Sequence, residues 1–399
     1  MNKWLKPIAV ISGTVFLLTG CSLFDGEKDV VVMAELPVFE ASYQPKIVWK
    51  KSIGDGVDKY YSQLQPAADS EAVYAASRDG EVKAFSLDGK KLLWFNDFDK
   101  HQSNLLNRSA RFAGGITLAV ETLFIGTENA QVLAIDKYTG KLKWLAEVSG
   151  EVLAKPAYDN GKIVVHTSRG DLIALDSVTG ELLWTLTNKQ PNLTLRSSSA
   201  PAIAQGGIIY GRADGFVSGA LLETGQALWQ LPIARPFGAT ELDRIVDADT
   251  QPIISNGVVY ALAYNGNLTA IDLLKGVELW SRQYSGYNDM TLSGNSLYLT
   301  DYRGHVYAVD RRSGDDIWAN EQLSYRNLTA VTVANQYIVV GDGEGYLHWM
   351  ERESGEFVAQ QKIDSQGLYK APLATQTHLY LQSRGGKLVA IEKPSINVE

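Results

Sequence analysis

Cysteine is all but missing from this chain. Cys21 is the only one in 399 residues, so no disulfide can form within it. Histidine is nearly as scarce: His101, His166, His305, His348 and His378 include no pair three or four residues apart, the spacing that would seat a metal. The sequence has no Gly-x-Ser-x-Gly elbow and no phosphate-cradling Gly-x-x-x-x-Gly-Lys-Ser/Thr loop. Asp247-Ala248-Asp249 alternates like a calcium loop but lacks the glycine and bidentate glutamate that such a loop needs. No basic run occurs, and 45 acidic against 37 basic residues give a net charge of −8, a poor balance for binding nucleic acid. The apolar stretch near the start, Ile8–Leu18, is 11 residues long, too short to span a bilayer as a permanent helix. The residues expected of a metal, serine-type or nucleotide-dependent enzyme are therefore absent, and no metal site or cofactor is expected.

What the chain has is repetition. A motif of the form Gly-x-Val/Leu-x-Ala-Ile/Leu-Asp recurs, centred on Val82, Val132, Leu172, Val217, Leu268, Val306, Leu347 and Leu388. A short turn ending in Gly follows, and then an apolar strand with Trp at 94, 144, 184, 229, 280 and 318; Trp49 precedes the first copy. Eight units of roughly 44 residues fall in the range of a propeller blade. Segments such as Val132–Asp136 and Leu172–Asp176 read as short buried strands. The aspartates that close them (Asp136, Asp176, Asp272, Asp310) hold one repeated position and read as turn formers, since a catalytic residue would break the repeat. With a further Gly-led β run before each motif, the unit has the four strands of a blade.

The small residue of the motif (Ala84, Ala134, Ala174, Gly219, Ala270, Ala308, Ala390) allows sheets to approach so that Trp can fill the wedge between blades. In the seventh copy Trp349 takes the small position and Ala359 the Trp position, an exchange of volume. The eighth copy, Gly386–Glu392, has no Trp strand after it, whereas Lys46–Lys50 carries Trp49 with no motif before it. Pairing the two would close the ring and remove its open edges. The expected architecture is all-β: an eight-bladed propeller of four-stranded antiparallel blades over residues 46–399, its N- and C-terminal segments sharing the eighth blade.

Residues 1–20 read as a cleaved signal, with Lys3 and Lys6 ahead of the apolar stretch and Leu18-Thr19-Gly20-Cys21 after it. This ending resembles the lipobox of bacterial lipoproteins, which implies acylation of Cys21, and Ser22 in the next position implies export to the outer membrane. Cleavage removes two lysines and no acid, taking the charge from −8 to −10. Residues 21–45 would form the lipidated tether, with Val30–Met33 available as an added edge strand.

The repeat resembles that of pyrroloquinoline-quinone dehydrogenases, most closely in Val132–Trp144, Leu172–Trp184 and Val306–Trp318. That likeness implies the fold, and as an alternative function a quinone-dependent dehydrogenase tethered to the outer membrane. Known enzymes of that family hold quinone and calcium in the funnel, and many carry a disulfide between adjacent cysteines. This chain cannot form that disulfide, and none of its residues matches the calcium and base positions. Lipobox and eight repeats together resemble the lipoprotein propeller family of the outer-membrane β-barrel assembly machinery. That resemblance implies a non-enzymatic scaffold at the periplasmic face of the outer membrane, without a cofactor. Its implied partner is a periplasmic domain of the central barrel subunit, with the complex's other lipoproteins engaged indirectly.

Connector lengths give a separate pointer to a binding face. From Trp to the next motif centre the chain takes 33, 38, 33 and 39 residues after Trp49, Trp94, Trp184 and Trp229, and fewer than 30 elsewhere. Long connectors carry function more often than the scaffold beneath them. Those after Trp184 and Trp229 leave neighbouring blades on one face. They contain Asn192-Leu193-Thr194-Leu195-Arg196 and the acid-rich Glu241–Asp249, a mixture suited to an apolar centre with a charged rim. In the assembly-machinery family the matching segments contact the barrel subunit. The expected binding residues are Leu193, Leu195, Arg196, Asp247 and Asp249, the two acids as exposed rim charges.

Overall fold

Short runs of β-branched and aromatic residues, each closed by a tight turn, form 32 strands in the computed structural model, which describes residues 31–99, 110–196 and 198–395. The strands assemble into eight four-stranded antiparallel sheets. Seven are sequential; the first, for example, is Ala67–Ala68, Ala72–Ala76, Glu81–Ser86 and Leu92–Asp97. We label the strands of each blade a to d from the axis outward. The a strands of successive blades are neighbours, as between Ala157–Asp159 and Ala202–Ala204. The b and c strands are the core of each blade: Thr122–Gly126 and Gln131–Ala134, for instance, are buried throughout.

The eighth blade closes the ring as the sequence implies. Ile47–Ser52 is its d strand, lying antiparallel on the c strand Lys387–Glu392, with Trp49 opposite Ala390 and Lys51 opposite Leu388. The signal segment and Cys21 lie outside the described residues. Residues 31–46 contain no strand, so the edge strand expected at 30–33 is not found over its described part. Instead the Ala34 N–H bonds to the Ser324 carbonyl (2.9 Å), and the N–H groups of Ser42 and Tyr43 both reach the Val358 carbonyl on the d strand of blade seven (3.0 and 3.1 Å).

Register explains the recurrent Trp. In each regular blade the small residue of strand c pairs directly with the Trp of strand d: Ala84 with Trp94, Ala134 with Trp144, Gly219 with Trp229. Opposed residues share a sheet face, so the small side chain leaves room for the indole. The ring then crosses to the next blade. Seven indole N–H groups donate to a carbonyl in the next blade's c–d turn, from Trp49 to Leu87 through Trp318 to Arg352, at 2.7–3.1 Å. The glycine ending that turn is required twice over. Gly140 has φ +70, and a Cβ there would lie 2.3 Å from the Trp94 ring. The motif aspartates are the turn formers expected: Asp136 Oδ1 accepts from the N–H groups of Tyr138 (3.1 Å) and Thr139 (2.9 Å).

Blade seven departs from this pattern in the way its sequence suggests. Trp349 on strand c faces Ala359 on strand d, so the indole has moved one strand inward on the same face. It is fully buried against Leu379, Leu381 and Ile391 of blade eight. Its N–H has no hydrogen-bond partner among the described residues, and the Tyr43 ring packs at 5.2 Å.

Candidate partner-binding face

In a four-stranded antiparallel blade the b–c turn and the exit of strand d lie at the same end. All b–c turns and blade-to-blade connectors therefore share one face of the ring. The two long connectors singled out above run from 188 to 201 and from 233 to 252. They are joined to each other and to the blades beneath. The Asp247 carboxylate accepts the Leu195 N–H at 2.5 Å. The Ser199 hydroxyl donates to the Thr250 carbonyl (2.9 Å) and accepts the Gly211 N–H (3.0 Å). Tyr264 N–H reaches the Asp247 carbonyl at 2.8 Å. The second connector passes so near blade four that a Cβ on Gly211 would sit 1.7 Å from the Ala248 oxygen, which only glycine permits.

This packing corrects the reading of Asp247 and Asp249 as exposed rim charges. Both are buried, at 1% and 7% exposure. The sequence window showed an acidic loop in which Glu241 and Asp243 do stay exposed, but Asp247 turns inward and accepts a backbone N–H of the other connector, 52 residues away. Burial pushes the Asp247 carboxyl up, to about 6; the Leu195 N–H opposes the rise and Asp214 adds to it. The remaining residues face outward. Leu193 is 43% exposed, Leu195 is half-buried and Arg196 is exposed. Arg196 already meets acids of its own chain, Glu151 at 3.2 Å and Glu128 at 3.5 Å. Glu128 in turn takes a two-pronged contact from Arg78 (3.0 and 2.7 Å). The guanidinium is thereby held in position on the surface.

Leu195 and Arg196 form one wall of a bowl of about 530 Å³ at the mouth of the central axis. The rest of its lining was not anticipated from the sequence. Tyr61, Tyr287, Leu328, Leu368, Tyr369 and Arg384 come from connectors and turns of several other blades, each supplying one or two residues. Beneath the bowl the axis is crossed by the chain's own side chains. Lys370 Nζ donates to Asp289 (2.6 Å) and to the Gln63 amide oxygen, and Asp289 also accepts the Gln251 N–H (2.8 Å). Burial works to raise the Asp289 carboxyl, but Lys370 beside it prevails and holds it below its usual range. Lys155 lines the same space, its ammonium pKa lowered first by burial and then by Lys370. Among the described residues no cluster of three or more His, Cys, Asp or Glu side chains is arranged to hold a metal ion.

The sequence model of the family described as "Outer membrane protein assembly factor BamB" matches residues 78–320. The protein of that name from Yersinia pestis is 44% identical over 390 residues, 97% of this chain and 99% of its own. The Escherichia coli K12 protein is 42% identical, over 95% and 97%. This chain belongs to the BamB family. Its role is thus in the assembly of outer membrane proteins, in association with the outer membrane, and it is not an enzyme. The crystal structure of BamB from Moraxella catarrhalis matches with a TM-score of 0.78 at 24% identity, covering 88% of this chain and all of that one. A quinohemoprotein alcohol dehydrogenase from Pseudomonas putida matches with a TM-score of 0.69 at 13% identity. At these identities the structures establish a common propeller fold and no common activity.

Proposed function

We propose that this BamB-family chain is a scaffold anchored to the periplasmic face of the outer membrane through acylated Cys21. Through the face built on its two long connectors it binds a periplasmic domain of the central barrel subunit. Leu193 and Leu195 supply the apolar contact and Arg196 a fixed cation. Asp247 and Asp249 shape the face from beneath; touching the partner is not their part. The observation that carries this reading is the buried Asp247 carboxylate, which ties the Leu195 backbone to the neighbouring connector. A patch fixed before binding loses little conformational freedom on docking.

Binding of purified variants to the soluble periplasmic region of the barrel subunit tests the assignment, with circular dichroism to check folding. Leu195→Ala is expected to cost about 2 kcal/mol or more, as for an anchor at an interface centre. Arg196→Ala should also weaken binding. Wild-type affinity in both folded variants would move the contact elsewhere on the ring.

A further inference from the structure

Two hydrogen-bond donors of the bowl, Arg384 and Tyr369, meet no carboxylate among the described residues. Arg384, on the b–c turn of the eighth blade, donates from Nη1 to the Asp58 and Tyr60 carbonyls at 3.1 and 3.4 Å. It meets no carboxylate within ion-pair distance among the described residues. Its guanidinium carbon lies 5.5 Å from the centre of the Tyr369 ring. The Tyr369 hydroxyl is buried and has no hydrogen-bond partner among the described residues. A buried hydroxyl left unpaired is costly, and guanidinium groups favour carboxylates through short charge-assisted bonds. Arg196, the other cation lining the bowl, is already engaged with Glu151, and Lys370 beneath it with Asp289. Among the described residues lining this cavity, Arg384 is therefore the cation without an ion-pair partner. Around it Leu195, Leu328 and Leu368 provide apolar walls.

We infer that the bowl receives a side-chain carboxylate, an Asp or Glu flanked by an apolar residue, from the protein partner that covers Leu195 and Arg196. The carboxylate would accept from Arg384 and Tyr369 while its apolar neighbour packs on the leucines. The inference rests on the binding face proposed above and adds the chemistry that face selects. It also places the docking centre on the axis of the ring, between the long connectors and the eighth blade.

The test uses the mature chain and the soluble periplasmic region of the barrel subunit. Arg384→Gln should weaken binding by about tenfold or more, the usual loss for a charge-assisted hydrogen bond, and should flatten its salt dependence. Tyr369→Phe should weaken it by a smaller factor. Arg384→Lys should retain most of the affinity and place an amine at the site. Carbodiimide, which joins an amine to a carboxylate without a spacer, should then link position 384 to one Asp or Glu of the partner, a product absent from wild type. Failure of that cross-link with binding retained, or wild-type binding by both Arg384→Gln and Tyr369→Phe, would overturn the inference. Leu195→Ala separates the two readings. If it loses binding while the Arg384 and Tyr369 variants do not, the face stands and the carboxylate docking is wrong; if it and Arg196→Ala both bind normally, the face itself is wrong. Sedimentation with phosphatidylglycerol vesicles completes the set. Vesicle binding that depends on Arg384 while partner binding does not would assign the bowl to a lipid phosphate and overturn the protein carboxylate.

Discussion

Asp247 offers a sharp test of how the binding face is built. Its carboxyl has a pKa of about 6 in the folded protein against 3.8 unperturbed, and each unit corresponds to about 1.4 kcal/mol between the two protonation states. The folded state thus favours the protonated form, so this group's contribution is full below about pH 4. It falls as pH rises through about 6, a loss on the order of 3 kcal/mol. Asp247→Asn keeps an oxygen to accept the Leu195 N–H but cannot ionise. In urea melts across pH 4 to 7.5, the stability of wild type relative to this variant should therefore decline by about 3 kcal/mol and then level off. Asp247→Ala removes the acceptor, and an unpaired buried N–H costs about 1–3 kcal/mol. On binding, Asp247→Asn should stay near wild type, while Asp247→Ala should lose affinity because Leu195 is no longer held. A steering charge on a rim would behave otherwise, with both variants slowing association equally and flattening its salt dependence. Equal kinetic losses, or no pH-dependent difference between wild type and Asp247→Asn, would refute the positioning role.

Further outcomes follow from the ring and its leader. Trp49→Ala should lower stability by roughly 3–5 kcal/mol, as truncation of a buried Trp does, because the indole is 9% exposed and bonds the Leu87 carbonyl. Gly140→Ala should destabilise the ring comparably, seen as a lower thermal midpoint, because its Cβ would meet the Trp94 ring. Cys21→Ala should abolish incorporation of labelled palmitate, since the sequence has no other thiol; persistent labelling would remove the lipid anchor from the proposal.

The ring was legible because its signals are local and repeated. A small residue, an aspartate turn, a glycine and a Trp recur within about a dozen residues, and their register in the structure is the one their spacing implies. The long connectors were legible by length alone. What lay hidden depends on contacts between distant segments. An acid-rich stretch looks the same whether its carboxylates face water or a backbone N–H 52 residues away, so the fate of Asp247 could not be read from its neighbours. The bowl was harder still, since Tyr61, Leu328 and Arg384 meet only because eight blades curve to a common axis. The docking of Ala34, Ser42 and Tyr43 on blades six and seven also escaped notice, since nothing in 31–46 follows the repeat.

Seven of the joints between blades are alike, an indole from one blade bonded to the turn of the next, and the eighth is different. Between blades seven and eight Trp349 sits inward and its N–H has no partner among the described residues, while Tyr43, from the segment just before the closing strand, packs against the indole. The ring therefore has a seam. Tyr43 and the strand Ile47–Ser52 are nearly contiguous, so the act that seals the circle also lays the preceding segment across the joint that is built differently.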